Sequence, residues 1–294
     1  MNVTSYAAPK KILIAVEDSP QLEAVVSMIS RIKWPGGSTV YLLAVVPEQL
    51  PLMDTRFEAR SGVDEAAEIH RWRGWAATKL MADQIVARLR VRHLFVERAE
   101  ICAGPLVELA LERSIELAPD VIVLGAKPGG GPGNIWLNPS PGKLAQCAPH
   151  SVLVVRPSKP VYPLHTLLAV SNSPEAWQAI NFVRTLSLPD WARVTLLYLC
   201  GEGDSATAEP SQDAAEQFAA EVISHLHEYG VAVRWLQRPG HPTRQLLSVA
   251  REQEANLIVI GADETMPVVA APRPGGMAQS VVKHAPCSVL VVRQ

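Results

Sequence analysis

Residues 119–156 read PDVIVLGAKPGGGPGNIWLNPSPGKLAQCAPHSVLVVR, and residues 256–293 read NLIVIGADETMPVVAAPRPGGMAQSVVKHAPCSVLVVR. Each stretch is a short apolar run ending in Gly, a Pro/Gly-rich loop, a short helical segment and a second apolar run. Ala148-Pro149-x-Ser151-Val-Leu-Val-Val-Arg156 returns as Ala285-Pro286-x-Ser288-Val-Leu-Val-Val-Arg293, differing only at x. A repeat of this kind sets the domain count. Continuous Val/Leu/Ile runs, without alternation, are how parallel strands covered on both faces read.

The repetition extends to the rest of the chain. Lys11–Val16 is an apolar strand that stops at Glu17-Asp18-Ser19-Pro20; His165–Val170 is its counterpart and stops at Ser171-Asn172-Ser173-Pro174. Ser before Pro is a helix start, the hydroxyl capping and the ring fitting the first turn. Thr39–Val46 and Val194–Leu199 read as second strands. Arg92–Glu97 and Val231–Leu236 read as third strands, the first of them less apolar and so placed at an edge. Gly104-Pro105 and Gly240-His241-Pro242 each open a helix. Strand alternating with helix, twice over, predicts two tandem doubly wound parallel α/β domains. Their expected limits are 1–157 and 164–294, joined by a Pro-punctuated linker over 158–163.

The 294 residues suffice for two such domains, and 48% hydrophobic content supplies both cores. A net charge of −2 gives no field to draw in nucleic acid or an anionic membrane. No apolar run reaches the roughly 18–20 residues of a membrane helix. The four scattered cysteines do not form a disulfide framework, and together with the absence of a leader pattern they lead us to expect a cytoplasmic protein. Cys102 and Cys200 read as small buried hydrophobes. Cys147-Ala-Pro-His150 and His284-Ala-Pro-Cys287 offer two ligands each, short of the four a structural zinc needs, so no metal site is expected. Ser19 and Ser173 read as helix caps rather than nucleophiles, and no nucleophile elbow, kinase or zincin signature is present, so no catalytic residue is assigned. His225 and His227 read as surface residues. Trp72 and Trp75, with Arg71 and Arg73 on the long helix from about residue 64, read as core packing beside solvated arginines, an interaction surface being the alternative.

The chain resembles the universal stress protein family in its tandem two-domain form. The resemblance rests on AVEDSP at 15–20 and AVSNSP at 169–174, GHP at 240–242, VIVLG and LIVIG at the fourth strands, and the HAPCSVLVV ending. It covers essentially the whole chain. It implies two five-stranded parallel sheets in order 3-2-1-4-5, an adenine nucleotide alpha hydrolase-like fold. It also implies that the two VLVVR strands pair with each other as a pseudo-dimer inside one chain, with a homodimer as a further option. The physical reading agrees, because two identical exposed Val/Leu edges are self-complementary.

In that order the topology switches between strands one and four, where a ligand crevice opens. ATP-binding members carry Gly, two residues, Gly, nine residues, then Gly-Ser or Gly-Thr, so that backbone N–H groups cradle phosphates. Both copies depart from this pattern. From Gly125 the second glycine position is Pro128 and the closing pair is Asn138-Pro139, although Lys127, Gly129, Gly131 and Ser140 lie nearby. From Gly261 the second position is Glu264, and the closing pair Gly275-Gly276 comes one residue late without a hydroxyl. The resemblance thus implies a damaged site for an adenine nucleotide (ATP, ADP or AMP, with Mg). Its candidate residues are Val16, Glu17, Gly125, Lys127, Gly129, Gly131, Asn138 and Ser140 in the first copy. In the second they are Val170, Ser171, Gly261, Arg273, Gly275 and Gly276. The first copy reads as the marginally better candidate. The expected role is a stress-linked regulatory or binding protein; the alternatives are a ligand-free protein–protein adapter and a slow nucleotide hydrolase.

Overall fold

The structure, a computed structural model of the chain, describes residues 8–17, 19–46, 65–126, 139–157, 164–186, 192–200, 212–228, 231–262 and 276–293. The first half contains Lys11–Val16 (β1), Ser19–Arg31 (α1), Thr39–Val46 (β2), Glu65–Val91 (α2), Phe95–Ala103 (β3), Leu106–Leu117 (α3), Val121–Gly125 (β4), Pro139–Cys147 (α4) and Ser151–Val155 (β5). The second contains His165–Val170 (β6), Pro174–Thr185 (α5), Arg193–Cys200 (β7), Gln212–His227 (α6), Val233–Pro239 (β8), Pro242–Glu252 (α7), Leu257–Gly261 (β9), Met277–His284 (α8) and Ser288–Val292 (β10).

These strands form one ten-stranded sheet in the order β3-β2-β1-β4-β5-β10-β9-β6-β7-β8. Each half is parallel in the order 3-2-1-4-5 expected from the resemblance. The halves meet where β5 and β10 pair antiparallel, with Val152, Leu153 and Val154 opposite Val291, Leu290 and Val289. That register is its own mirror, so a local two-fold passes through the Leu153–Leu290 pair. Helices α1, α2, α5 and α6 cover one face of the sheet and α3, α4, α7 and α8 the other, so each hydrophobic layer runs through both halves. Both strands of the central pair are fully buried, which is why they carry Val and Leu at every position after the leading Ser.

The rest of the repeated ending is explained at this seam. Ser151 Oγ donates to the Arg293 carbonyl at 3.0 Å and accepts from its N–H at 3.1 Å. Ser288 Oγ accepts from the Arg156 N–H at 3.1 Å. The arginine side chains then cross the two-fold: Arg293 Nη2 donates to the Ala145 carbonyl of α4 at 2.6 Å, and Arg156 Nη2 to the Val282 carbonyl of α8. Ser and Arg recur at both ends of VLVV because each ties its strand to the opposite half.

Local chemistry sets the remaining joints. Asp120 accepts from the Lys11 N–H at 2.8 Å and from Lys10 Nζ at 2.9 Å, and Asn256 accepts from the His165 N–H at 2.8 Å, so the residue before each fourth strand pins the start of the first. Gly104 and Gly240 hold φ of 142° and 112°, turning the chain from β3 into α3 and from β8 into α7 at angles that side chains rarely adopt.

Several sequence expectations need correction. β3 and β8 begin later and run further than expected, the first because His93, at φ 60°, still belongs to the turn after α2. Cys102, on edge strand β3, is only half-buried, and the side chain of Cys200 lies outside the described residues. Trp72 and Trp75 are 75% and 42% exposed rather than core. The buried stripe of α2 runs through Thr78, Met81, Ile85 and Leu89, with Gly74 against Val46, and both tryptophans fall off it. His225 is not a solvated residue: its ring lies between α5 and α6, with Nε2 at 3.1 Å from Asn181 Oδ1 and the ring edge-on to Trp177. Ser173 caps α5 as expected, accepting from the Ala176 N–H at 3.3 Å; the side chain of Ser19 lies outside the described residues.

Candidate functional site

A crevice of about 450 Å³ opens at the C-terminal ends of β6 and β9, the point where the second half's topology reverses. Four residues singled out in the sequence meet there: Val170, Ser171, Gly261 and Gly276. Val170 is buried at the end of β6, and Ser171, in the turn that follows, donates to Ser173 Oγ at 3.2 Å. Gly276 is the N-cap of α8 and provides no side-chain cap. Gly276 therefore gives the N–H groups of that first turn no side-chain acceptor, an arrangement suited to a negatively charged group. Pro242, opening α7, and Glu175, in the first turn of α5, line the same space. Ala169, Leu199 and Ile260 supply its apolar side.

Some lining residues were not foreseen. Ala145 and Gln146 come from α4 of the first half, because the β5–β10 pairing packs α4 against α8, with Gln279 Nε2 at 3.4 Å from Gln146 Oε1. Arg293 closes the crevice from the end of β10. Burial pushes its pKa down from the ordinary arginine value. The identity of the two APxSVLVVR segments was the available signal for these residues, once read as a pairing edge.

The glycine ending each fourth strand has a packing cause. A Cβ on Gly261 would lie 1.9 Å from the Glu175 carbonyl oxygen, and one on Gly125 would lie 2.5 Å from Gln21 Cβ. Glu175 and Gln21 occupy matching positions two residues after Ser173 and Ser19. The first turn of α5, or of α1, passes directly over the strand end, and only hydrogen fits beneath it. Around Gly125 the side chain of Gln21 is 1% exposed and takes up that space; Val16 is fully buried and Glu17 half-buried beside it. Ser140 sits in the first turn of α4, with its side chain outside the described residues. Lys127, Gly129, Gly131, Asn138, Arg273 and Gly275 also lie outside the described residues. Among the described residues, no group of three or more His, Cys, Asp or Glu side chains could hold a metal ion, and no helix is long and apolar enough to cross a membrane. The Cys147/His150 and His284/Cys287 pairs stand at opposite ends of the β5–β10 ladder.

A tandem doubly wound α/β architecture with a crevice at a strand-order reversal places the chain in the fold class whose ligands bind at such reversals. Within that class, the pattern of the universal stress protein family matches residues 9–156 and again 164–293, and the chain belongs to that family. It is similar to Universal stress protein Sll1388 of Synechocystis, 29% identical over 85 residues, a match spanning 29% of this chain and about half (54%) of that relative. Among solved structures it resembles a universal stress protein from Archaeoglobus fulgidus, with a TM-score of 0.66, 16% identity and 96% of both chains covered. A putative universal stress protein from Pseudomonas aeruginosa gives a TM-score of 0.58 at 17% identity, covering 99% of this chain and 95% of that one. These structural likenesses speak for the fold.

Proposed function

We propose that this protein is a regulatory binding protein whose ligand, an adenine nucleotide, occupies the second-half crevice. The observation that carries the reading is the meeting of Val170, Ser171, Gly261 and Gly276 around one cavity at the switch point. The cavity falls within the roughly 300–1,000 Å³ range of small-molecule sites. The apolar wall formed by Ala169, Leu199 and Ile260 suits a base, and the uncapped N-terminus of α8 suits phosphate. Glu175 faces the same space and opposes a bare polyphosphate, so a nucleotide with its charge neutralised by Mg is the better fit. This moves the preferred site from the first copy to the second.

Thermal unfolding of the full chain tests this reading. Millimolar ATP with Mg is expected to raise the melting temperature by mass action, and Ala278→Glu, which puts a carboxylate in the crevice, to remove the rise. No shift in the wild-type chain sinks the nucleotide reading. The adapter reading would then stand on the exposed Trp72 and Trp75, a pair of large apolar side chains on the outer surface of α2.

A further inference from the structure

A second cavity, of about 500 Å³, lies between the two halves at the same end of the sheet as the crevice, where β10 finishes. Its charged and titratable groups are Lys10, Lys11, Asp120, His150, Arg184 and Arg293. They come from the entries of β1, β4 and β5, the outer part of α5 and the exit of β10. Antiparallel pairing is what brings the strand starts of one half beside a strand end of the other.

The groove is strongly biased in charge: four cationic side chains face one carboxylate. That carboxylate is engaged within the first half, Asp120 accepting from Lys10 Nζ at 2.9 Å and from the Lys11 N–H at 2.8 Å. The Lys10 ammonium also sits 5.7 Å from the centre of the Phe182 ring, fixing that side of the wall. His150 adds no compensating charge. Its Nε2 lies 3.1 Å from the Ser114 carbonyl, and burial pushes its pKa down, which favours the neutral ring. Among the described residues, neither Lys11 nor Arg293 has a carboxylate within ion-pair distance. The Arg293 guanidinium donates once, from Nη2 to the Ala145 carbonyl; Nε and Nη1 are withdrawn from solvent without a hydrogen-bond partner among the described residues. A guanidinium in that position is costly unless an anion shares its environment.

We propose that this inter-half groove binds a compact anion of the phosphate or diphosphate class, held by Arg293, Lys11 and Arg184. The groove shares Arg293 with the crevice, but Lys11 and Arg184 line the groove alone, and the proposal does not depend on the nucleotide reading. Its symmetry supplies a control. Arg156 is the two-fold counterpart of Arg293 and makes the matching bond to the Val282 carbonyl, yet it does not line the groove. A purely structural role for these arginines treats the two alike, whereas an anion site separates them.

The experiment is thermal unfolding of the full chain in millimolar inorganic pyrophosphate against sodium chloride at equal ionic strength. The expected result is a melting-temperature rise specific to pyrophosphate, at least halved in Lys11→Gln and in Arg293→Met and retained in Arg156→Met and Ala278→Glu. Lys11 is exposed, so Lys11→Gln keeps the test decisive if Arg293→Met fails to fold. The proposal is overturned if pyrophosphate gives no specific rise or if the rise is unchanged in Lys11→Gln. A rise lost in Ala278→Glu but kept in Lys11→Gln places the anion in the crevice and also overturns it.

Discussion

At the level of single residues, Gly125 and Gly261 show how one residue type carries two readings. Their place at a strand end before a Gly/Pro-rich loop suggests phosphate contact. The structure gives each a steric cause, the passage of a helix's first turn over the strand end. Sequence spacing could not reveal this, because Gln21 and Glu175 are far from the glycines along the chain. The two clashes differ in depth. Beneath Gly261 the obstacle is the Glu175 main-chain carbonyl, whose oxygen would lie 1.9 Å away; at Gly125 the nearest atom is Gln21 Cβ at 2.5 Å, equally fixed but less deeply overlapped. Gly261→Ala is therefore expected to destabilise the fold by about 3 kcal/mol and Gly125→Ala by about 1–2 kcal/mol, as for overpacking in a filled core. Urea denaturation of the two variants checks this, and equal costs would refute the distinction. The seam arginines show the opposite limit. Arg156 and Arg293 were visible as part of the repeat, but that the first is buried and the second half-buried became evident only with the partner half in place.

At the level of elements, the strands were legible because each is an apolar run covered on both faces, and their order followed once the two-domain likeness was recognised. Helix α2 was less legible. Its tryptophans looked like core, yet the buried stripe through Thr78, Met81 and Ile85 leaves them outside it. The β5–β10 pair is the element on which the assembly turns. Leu153 and Leu290 face each other at its centre, each 1% exposed. Leu290→Asp would bury a carboxylate with no cation opposite it. The expected cost is about 4 kcal/mol or more, in the range reserved for unpaired buried charge. Leu153→Asp should cost nearly the same, since the two-fold makes the sites equivalent. Equilibrium unfolding of both variants tests that equivalence; a mild effect at either position would mean the seam is looser than its hydrogen bonding indicates.

At the level of the whole molecule, duplication has produced one continuous sheet rather than two beads on a linker. The repeat and the linker over 158–163 pointed to two domains paired through their VLVVR strands, but nothing in the sequence stated how tightly the halves are joined. In the structure both hydrophobic layers draw side chains from each half, and α4 packs on α8 across the seam. Two arginines cross the seam, and the crevice itself takes Ala145 and Gln146 from the first half. Exposing the SVLVV strand of either half would uncover five residues that are now at most 1–2% exposed. At roughly 1.5–3 kcal/mol for each large apolar side chain, that cost rivals the roughly 5–15 kcal/mol that stabilises a typical domain. One half should therefore not unfold while the other stays native. The full chain is expected to unfold in urea as a single transition, with far-UV dichroism and tryptophan fluorescence superimposing, the fluorophores being spread over both halves from Trp34 to Trp235. Leu290→Asp should not only lower the midpoint but also pull the two curves apart, because the coupling fails before either half does. Coincident curves in that variant, or separated curves in the native chain, would show that the halves are energetically independent despite sharing a sheet.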